Sequence, residues 1–140
     1  MAVLLIGGVG GYLWFFRYNP CDVKEVEQAA VFLNTQLRSF DHSFQFATTV
    51  TINGLSRPVL ELQQIFMDTQ GLAVPVCLEK AKGHLLQYMD VLIRAFHAAM
   101  NEESNAAIRS LLDQSGSYYE RFNKDLDSVQ KCAPYCAPWN

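Results

Sequence analysis

The chain has 140 residues, of which 11 are lysine or arginine and 14 are aspartate or glutamate, so its formal net charge is −3. This acidic balance, without a basic patch, argues against nucleic acid as a partner. Its length is enough for one domain with a real core.

The N-terminal stretch 2–16, AVLLIGGVGGYLWFF, contains no charged residue and no proline. As a helix, residues 1–18 would span roughly 27 Å, close to the roughly 30 Å hydrocarbon core of a bilayer. We therefore predict a transmembrane anchor helix over residues 1–18. Because no lysine or arginine precedes the run and no small-residue cleavage site follows it, we expect a signal-anchor that is not removed. A cleaved signal, and an N-terminal strand or core helix of a soluble protein, stay open as alternatives.

Two groups of side chains fit this anchor. Gly7 and Gly11 form a small-xxx-small pair, which lets a neighbouring helix approach closely, so we expect them to pack against a partner within the membrane. Aromatic and basic side chains are expected at the membrane interface. These interface residues are Tyr12, Trp14, Arg17, Tyr18 and, in the C-terminal tail, Trp139.

The remainder of the chain has the apolar periodicity of long amphipathic helices. Asp22 is a good N-cap for the first helix, with Glu25 as its capping-box partner. Apolar residues then recur at alternating spacings of three and four, which is typical of a helical bundle. These residues are Val23, Val26, Ala30, Leu33, Leu37, Phe40, Phe44 and Ala47.

Three more helices follow. The second is short and runs from Ser56 until Gly71 ends it, so we expect residues 49–57 to run partly extended to match the first helix. The third starts at Pro75, and residues 101–105 form a polar hinge before the fourth. The fourth helix repeats the bundle spacing at Ile108, Leu112, Ser115, Tyr119, Phe122, Leu126 and Val129.

We therefore predict an all-α fold: a single N-terminal transmembrane helix followed, over residues 19–140, by an extracytoplasmic antiparallel four-helix bundle with one short helix. Gly116 interrupts the fourth helix at a cost of about 1 kcal/mol relative to alanine, and marks a bend or a close approach. The two prolines of the tail CAPYCAPWN stop the helix.

The bundle topology gathers the four cysteines at one end, nearest the anchor. Cys21 and Cys77 each precede a helix that runs away from that end, and Cys132 and Cys136 follow the helix that returns to it. We predict disulfides there, with Cys21 and Cys77 each bonded to one of the two C-terminal cysteines, and an oxidising compartment such as the periplasm, a lumen or the extracellular space. A four-thiolate zinc site and free thiols are the alternatives.

No catalytic or metal-binding motif is present. The sequence lacks Glu-x-x-His, His-Glu-x-x-His and Gly-x-Ser-x-Gly patterns, and no Lys-Ser/Thr follows the glycines of the N-terminal segment. His42, His84 and His97 are widely spaced, and we interpret them as surface or boundary residues. We expect no enzyme activity, no cofactor and no metal.

The expected function is a non-catalytic, membrane-anchored accessory or scaffolding subunit of a membrane protein complex. Its expected partners are membrane lipid and other membrane protein subunits, with a hetero-complex favoured over a homo-oligomer and no nucleic acid. One alternative is a ligand-binding or sensing bundle, which a cavity of several hundred Å3 between helices and lined by aromatic residues would favour. The other alternative is a subunit of a self-assembling filament or ring.

Overall fold

The computed structural model describes residues 21–132, with side chains up to Lys131, and this part of the chain is all-helical. The four helices of the predicted bundle are confirmed, including the short second one. In chain order they are α1 (Val23–Thr49), α2 (Ser56–Gly71), α3 (Glu79–Met100) and α4 (Asn105–Cys132). Short 3-10 turns, Ile52–Gly54 and Val76–Leu78, precede α2 and α3.

The membrane part of the predicted fold class is wrong. Within residues 21–132, no helix combines the length and the apolar character that crossing a bilayer requires. The long helices are amphipathic instead; α1, for example, carries Lys24, Glu27 and Arg38 on its exposed face. The prediction of a single-pass membrane protein with an extracytoplasmic domain is wrong on this finding.

Several residues singled out in the sequence lie outside the described part of the chain. They are the anchor range 1–18 with Gly7, Gly11, Tyr12, Trp14, Arg17 and Tyr18, and the tail residues Cys136 and Trp139.

Helix α1 forms as its sequence dictates. The side chain of Asp22 accepts hydrogen bonds from the backbone amides of Lys24 (2.9 Å) and Glu25 (3.4 Å), which satisfies two free N–H groups of the first turn. The predicted apolar stripe faces the core, since all its members from Val26 to Ala47 are buried except the half-buried Phe44. The helix ends at Thr49, within residues 48–52, a run of β-branched side chains that weakens a helix.

The extended connection lies elsewhere than predicted. Only Val50 and Thr51 are extended between α1 and α2, because the 3-10 turn already carries the chain into α2. The shortness of α2 is instead offset after its end, where residues 72–75 form no helix. Lys82 of α3 anchors this segment by donating a hydrogen bond to the carbonyl oxygen of Leu72 (2.6 Å).

Helix α3 is the centre of the fold. It packs most extensively against α4, with which it forms an antiparallel hairpin, and it also packs against α2 and α1. Helices α1 and α2 form the second hairpin, whereas α1 approaches both α3 and α4 at few points. The bundle is therefore open along one of its four seams.

A disulfide joins Cys21 and Cys77 at the end of the bundle where α1 and α3 begin. Their Cα atoms lie 6.1 Å apart, within the usual range for a disulfide. The prediction that each of them bonds a C-terminal cysteine is therefore wrong. The predicted gathering of the cysteines at one end of the bundle is supported for the described residues. Helix α4, which ends at Cys132, packs on the turn that holds Cys77.

Candidate functional site

Helix α4 leaves part of its apolar stripe uncovered. Ser115, Phe122 and Leu126 are buried as the spacing predicts. Leu112 and Tyr119, which the same spacing places in the core, are 43% and 38% exposed. The prediction fails for these two side chains because α4 packs onto α3 and α1 does not close over its other flank.

An open groove of about 400 Å3 lies along this uncovered flank. Its walls come from α1 and α4, and its floor is formed by Tyr88 of α3. The lining residues are Asp41, Phe44, Gln45, Tyr88, Gly116 and Tyr119. We refer to this feature as the α1–α4 groove.

Gly116 helps to keep the groove open. A Cβ atom placed on this residue would have no neighbouring atom within 4 Å, so the position is neither a close approach of two helices nor sterically restricted. A larger side chain at residue 116 would instead project into free space along the groove. This observation makes Gly116 a suitable position for blocking the groove without disturbing the core.

Aromatic rings line the groove and continue into the core. The ring centroids of Tyr88 and Tyr119 lie 5.5 Å apart, and those of Tyr88 and Phe40 lie 6.0 Å apart. Phe44 packs on Phe96 at 5.3 Å. All three pairs are tilted, which is a favourable arrangement for aromatic rings. The exposed ring of Tyr119 is therefore held in place by a buried aromatic network.

Asp41 places a carboxylate among these rings. The Tyr88 hydroxyl donates a hydrogen bond to Asp41 Oδ1 (2.8 Å), across 47 positions of sequence. Partial burial raises the pKa of Asp41, an effect that the hydrogen bond from Tyr88 partly offsets. The pKa of Tyr88 is also raised, by burial first and by the neighbouring Asp41. Within the described residues no ion pair neutralises Asp41.

The electrostatics of Asp41 predict how the Asp41→Asn variant responds to pH. A carboxyl group whose pKa is higher in the folded than in the unfolded state stabilises the fold at low pH and loses that contribution as the pH rises through the folded pKa. Asparagine keeps an oxygen that can accept from Tyr88 but has no charge to desolvate. We therefore expect Asp41→Asn to gain unfolding free energy relative to the parent between pH 3 and pH 7, measured by urea unfolding.

Tyr88→Phe tests the same electrostatics from the other partner. This variant removes the hydrogen bond that lowers the pKa of Asp41, so its stability should fall more steeply with pH than that of the parent. A difference between Asp41→Asn and the parent that is the same at pH 3 and pH 7 would contradict the assignment.

A second polar cluster joins α3 to α4. His84 Nδ1 lies 2.8 Å from Asp125 Oδ2, and Lys80 Nζ lies 3.3 Å from Asp125 Oδ1. Such a histidine–carboxylate pair would need an adjacent nucleophile for covalent catalysis. Among residues 21–131, none of these three side chains forms a hydrogen bond or ion pair with a hydroxyl or thiol group, so we interpret the cluster as a polar contact that holds the two helices together.

The remaining histidines do not come together. His97 Nε2 lies 3.1 Å from Gln63 Nε2, on the side of α2. His42 lines a smaller groove of about 350 Å3 between α1 and α2, together with Glu61 and Ile65. In the part of the chain that the structure describes, no group of three or more histidine, cysteine or acidic side chains is placed to hold a metal ion.

Comparison of the chain with family models, with curated proteins and with solved structures finds no match in any of the three. No relative therefore indicates a function for this chain.

The sequence alone does not reveal this groove. Asp41 lies on a helix with many charged residues, so its sequence context indicates an ordinary solvated carboxylate. The context of Tyr88 indicates an aromatic residue at the edge of the core. Two weak signals exist: Gly116, because a glycine inside a helix needs a reason other than helix propensity, and the aromatic residues that raised the alternative of a cavity between helices. The pairing of Asp41 with Tyr88 requires the packing of α1 on α3, which no local pattern encodes.

Proposed function

We propose that this chain is a non-catalytic binding domain, an accessory or scaffolding subunit that receives a partner protein in the α1–α4 groove. The observation that carries the proposal is the exposure of Leu112 and Tyr119, two members of a helical stripe whose other members are buried or half-buried. An apolar stripe at bundle spacing normally buries against another helix. A partner chain in the groove would cover Tyr119, and Leu112 lies one helical turn before Gly116 of the groove lining.

The chemistry of the groove supports binding rather than catalysis. Its lining offers one carboxylate, two phenols, an amide and a phenyl ring. General acid–base catalysis of a nucleophilic attack would require a nucleophile within hydrogen-bond reach of a base. The single carboxylate already accepts from the Tyr88 hydroxyl, whose raised pKa makes it a poor nucleophile near neutral pH.

The groove also supports a second candidate, a domain that binds a small ligand. A volume of about 400 Å3 bounded by aromatic rings falls within the range of ligand sites. Such sites usually enclose most of the ligand, however, whereas this groove is open along its length. We therefore favour a partner protein as the occupant.

Photocrosslinking from inside the groove tests the proposal. In one variant the photoreactive residue benzoylphenylalanine replaces Tyr119, which lines the groove. In a second variant it replaces Glu120, the adjacent exposed residue. Each variant is expressed in the cells that naturally make the protein, and the cells are irradiated. We expect an adduct with one discrete partner protein from position 119 and none from position 120. Introducing Gly116→Leu should abolish the adduct, whereas the matched variant Ser117→Leu, one position along the same helix, should preserve it.

Each other outcome counts against the proposal. Equal adducts from positions 119 and 120 would show general surface contact, and the lack of any adduct would leave the groove without a partner. Adducts between two copies of this chain would indicate self-assembly. A crosslink from position 119 to residues 1–20 of the same chain would mean that its own N-terminal segment occupies the groove.

A further inference from the structure

The α1–α4 groove has the composition of a site for a planar cation. Among the described residues that line it, Asp41 is the only charged one, and it lies among the rings of Phe44, Tyr88 and Tyr119. Aromatic faces attract cations, most strongly where water is partly excluded. A carboxylate beside aromatic faces therefore offers a positive group two complementary contacts at once.

One oxygen of Asp41 is available for such a group. Oδ1 accepts from the Tyr88 hydroxyl, and no hydrogen bond or ion pair to Oδ2 occurs among the described residues. Because no fully buried side-chain nitrogen or oxygen there lacks a partner, Oδ2 retains contact with solvent. An incoming donor could reach this oxygen without breaking the bond to Tyr88.

An ionised Asp41 at this half-buried position costs more desolvation free energy than a neutral serine or asparagine would. Burial raises the pKa of this carboxyl, so its ionised form opposes folding at neutral pH. A nearby cation would reverse that effect, and none is supplied by the groove lining. No ion pair with Asp41 occurs among the described residues either, so a positive group from a partner would be a favourable neighbour for this carboxylate.

We infer that the groove binds the guanidinium group of an arginine side chain of the partner, with Asp41 Oδ2 as its counter-ion and the Tyr119 ring as its stacking face. This inference rests on the proposed function. Arginine is favoured over lysine because its planar group both stacks on an aromatic ring and presents several N–H donors in one plane. Gln45 adds a side-chain oxygen on the α1 wall as a further acceptor.

Titration with a minimal arginine probe tests the inference. The probe is N-acetyl-arginine methylamide, and N-acetyl-citrulline methylamide is its neutral control of nearly the same shape. The readout is the NMR signal of the Gly116 amide and of the Tyr88 and Tyr119 rings. We expect saturable shifts with the arginine probe, and at least tenfold weaker association with the citrulline probe.

Variants assign the contacts. Asp41→Asn should weaken association of the arginine probe at least tenfold, and Tyr119→Leu should weaken it severalfold, whereas Ser117→Leu should leave it unchanged. A single cooperative unfolding transition and a helical circular-dichroism spectrum like that of the parent would show that each variant folds. Equal response to the arginine and citrulline probes, equal affinity for N-acetyl-lysine methylamide, or undiminished binding by Asp41→Asn would overturn the inference.

Failure of this inference is distinguishable from failure of the proposed function. The crosslink from position 119 is repeated with Asp41→Asn. An adduct that persists at full yield would keep the groove as the partner site and remove the arginine assignment. Loss of the adduct in Asp41→Asn, together with binding of the arginine probe by the parent, is the result expected here.

Discussion

Replacing both Cys21 and Cys77 by alanine should lower the free energy of unfolding by about 4 kcal/mol. The disulfide joins residues 56 positions apart, and in the chain-entropy model closing a loop of this size restricts the unfolded chain to that extent. Cys21 is also fully buried within the main core cluster, so the bond forms part of the packed interior. For a domain of this size the expected decrease in Tm is about 15 °C.

Urea unfolding and thermal unfolding of the oxidised protein, the reduced protein and the double-alanine variant measure this effect. Reduction of the parent should reproduce most of the loss, and reductant added to the variant reports any contribution from the other cysteines. Without reduction, trypsin should release the peptides that end at Lys24 and at Lys80 as one linked species. Separate peptides, or equal stability of the oxidised and reduced parent, would contradict the bond between Cys21 and Cys77.

The second large effect is expected at Phe122, where Phe122→Ala should cost about 3–5 kcal/mol. Phe122 is fully buried, and it is the largest of the few side chains by which α4 enters the core. Truncating a buried phenylalanine loses its transfer free energy and leaves a cavity that the helices fill only partly. A smaller m-value, the slope of the unfolding free energy against urea concentration, would show that α4 detaches before the rest of the domain unfolds.

Tyr119→Ala is the matched control for Phe122→Ala, because it removes an aromatic ring from the same helix, three residues away. Tyr119 is 38% exposed, so we expect its truncation to cost about 1 kcal/mol or less. The ratio of the two effects therefore reports whether the groove is open in solution. A Tyr119→Ala cost as large as that of Phe122→Ala would mean that α1 covers this flank of α4 and that the groove is closed.

Much of the fold follows from local sequence. The cap at Asp22, the spacing of the stripe in α1 and the breaks near Thr49 and Gly71 each have a local physical cause, and the structure bears them out. Periodicity also identifies the face of α4 that contains Phe122. It cannot state which neighbour covers that face, and so Leu112 and Tyr119 were predicted as core residues.

Two further differences have the same origin. Chain topology places Cys21 and Cys77 at one end of the bundle, but which sulfur atoms meet depends on the exact approach of the helices. The prediction of a membrane-spanning fold rested on residues 2–16, whereas the helices that form the described fold have charged faces. Local patterns thus specify helices and their faces, and the distances between helices require the assembled structure.

The position of the disulfide gives helix α1 a pivot far from the groove. Phe44 lies 23 residues beyond Cys21, a distance of about 35 Å along the helix axis. A tilt of about 5° around the bonded end would move the groove wall by about 3 Å, more than the width of a water molecule. The covalent link thus fixes the start of α1 to the turn before α3, at the end of the bundle away from the groove. The width of the groove depends on how α1 packs against α3 and α4 further along its length.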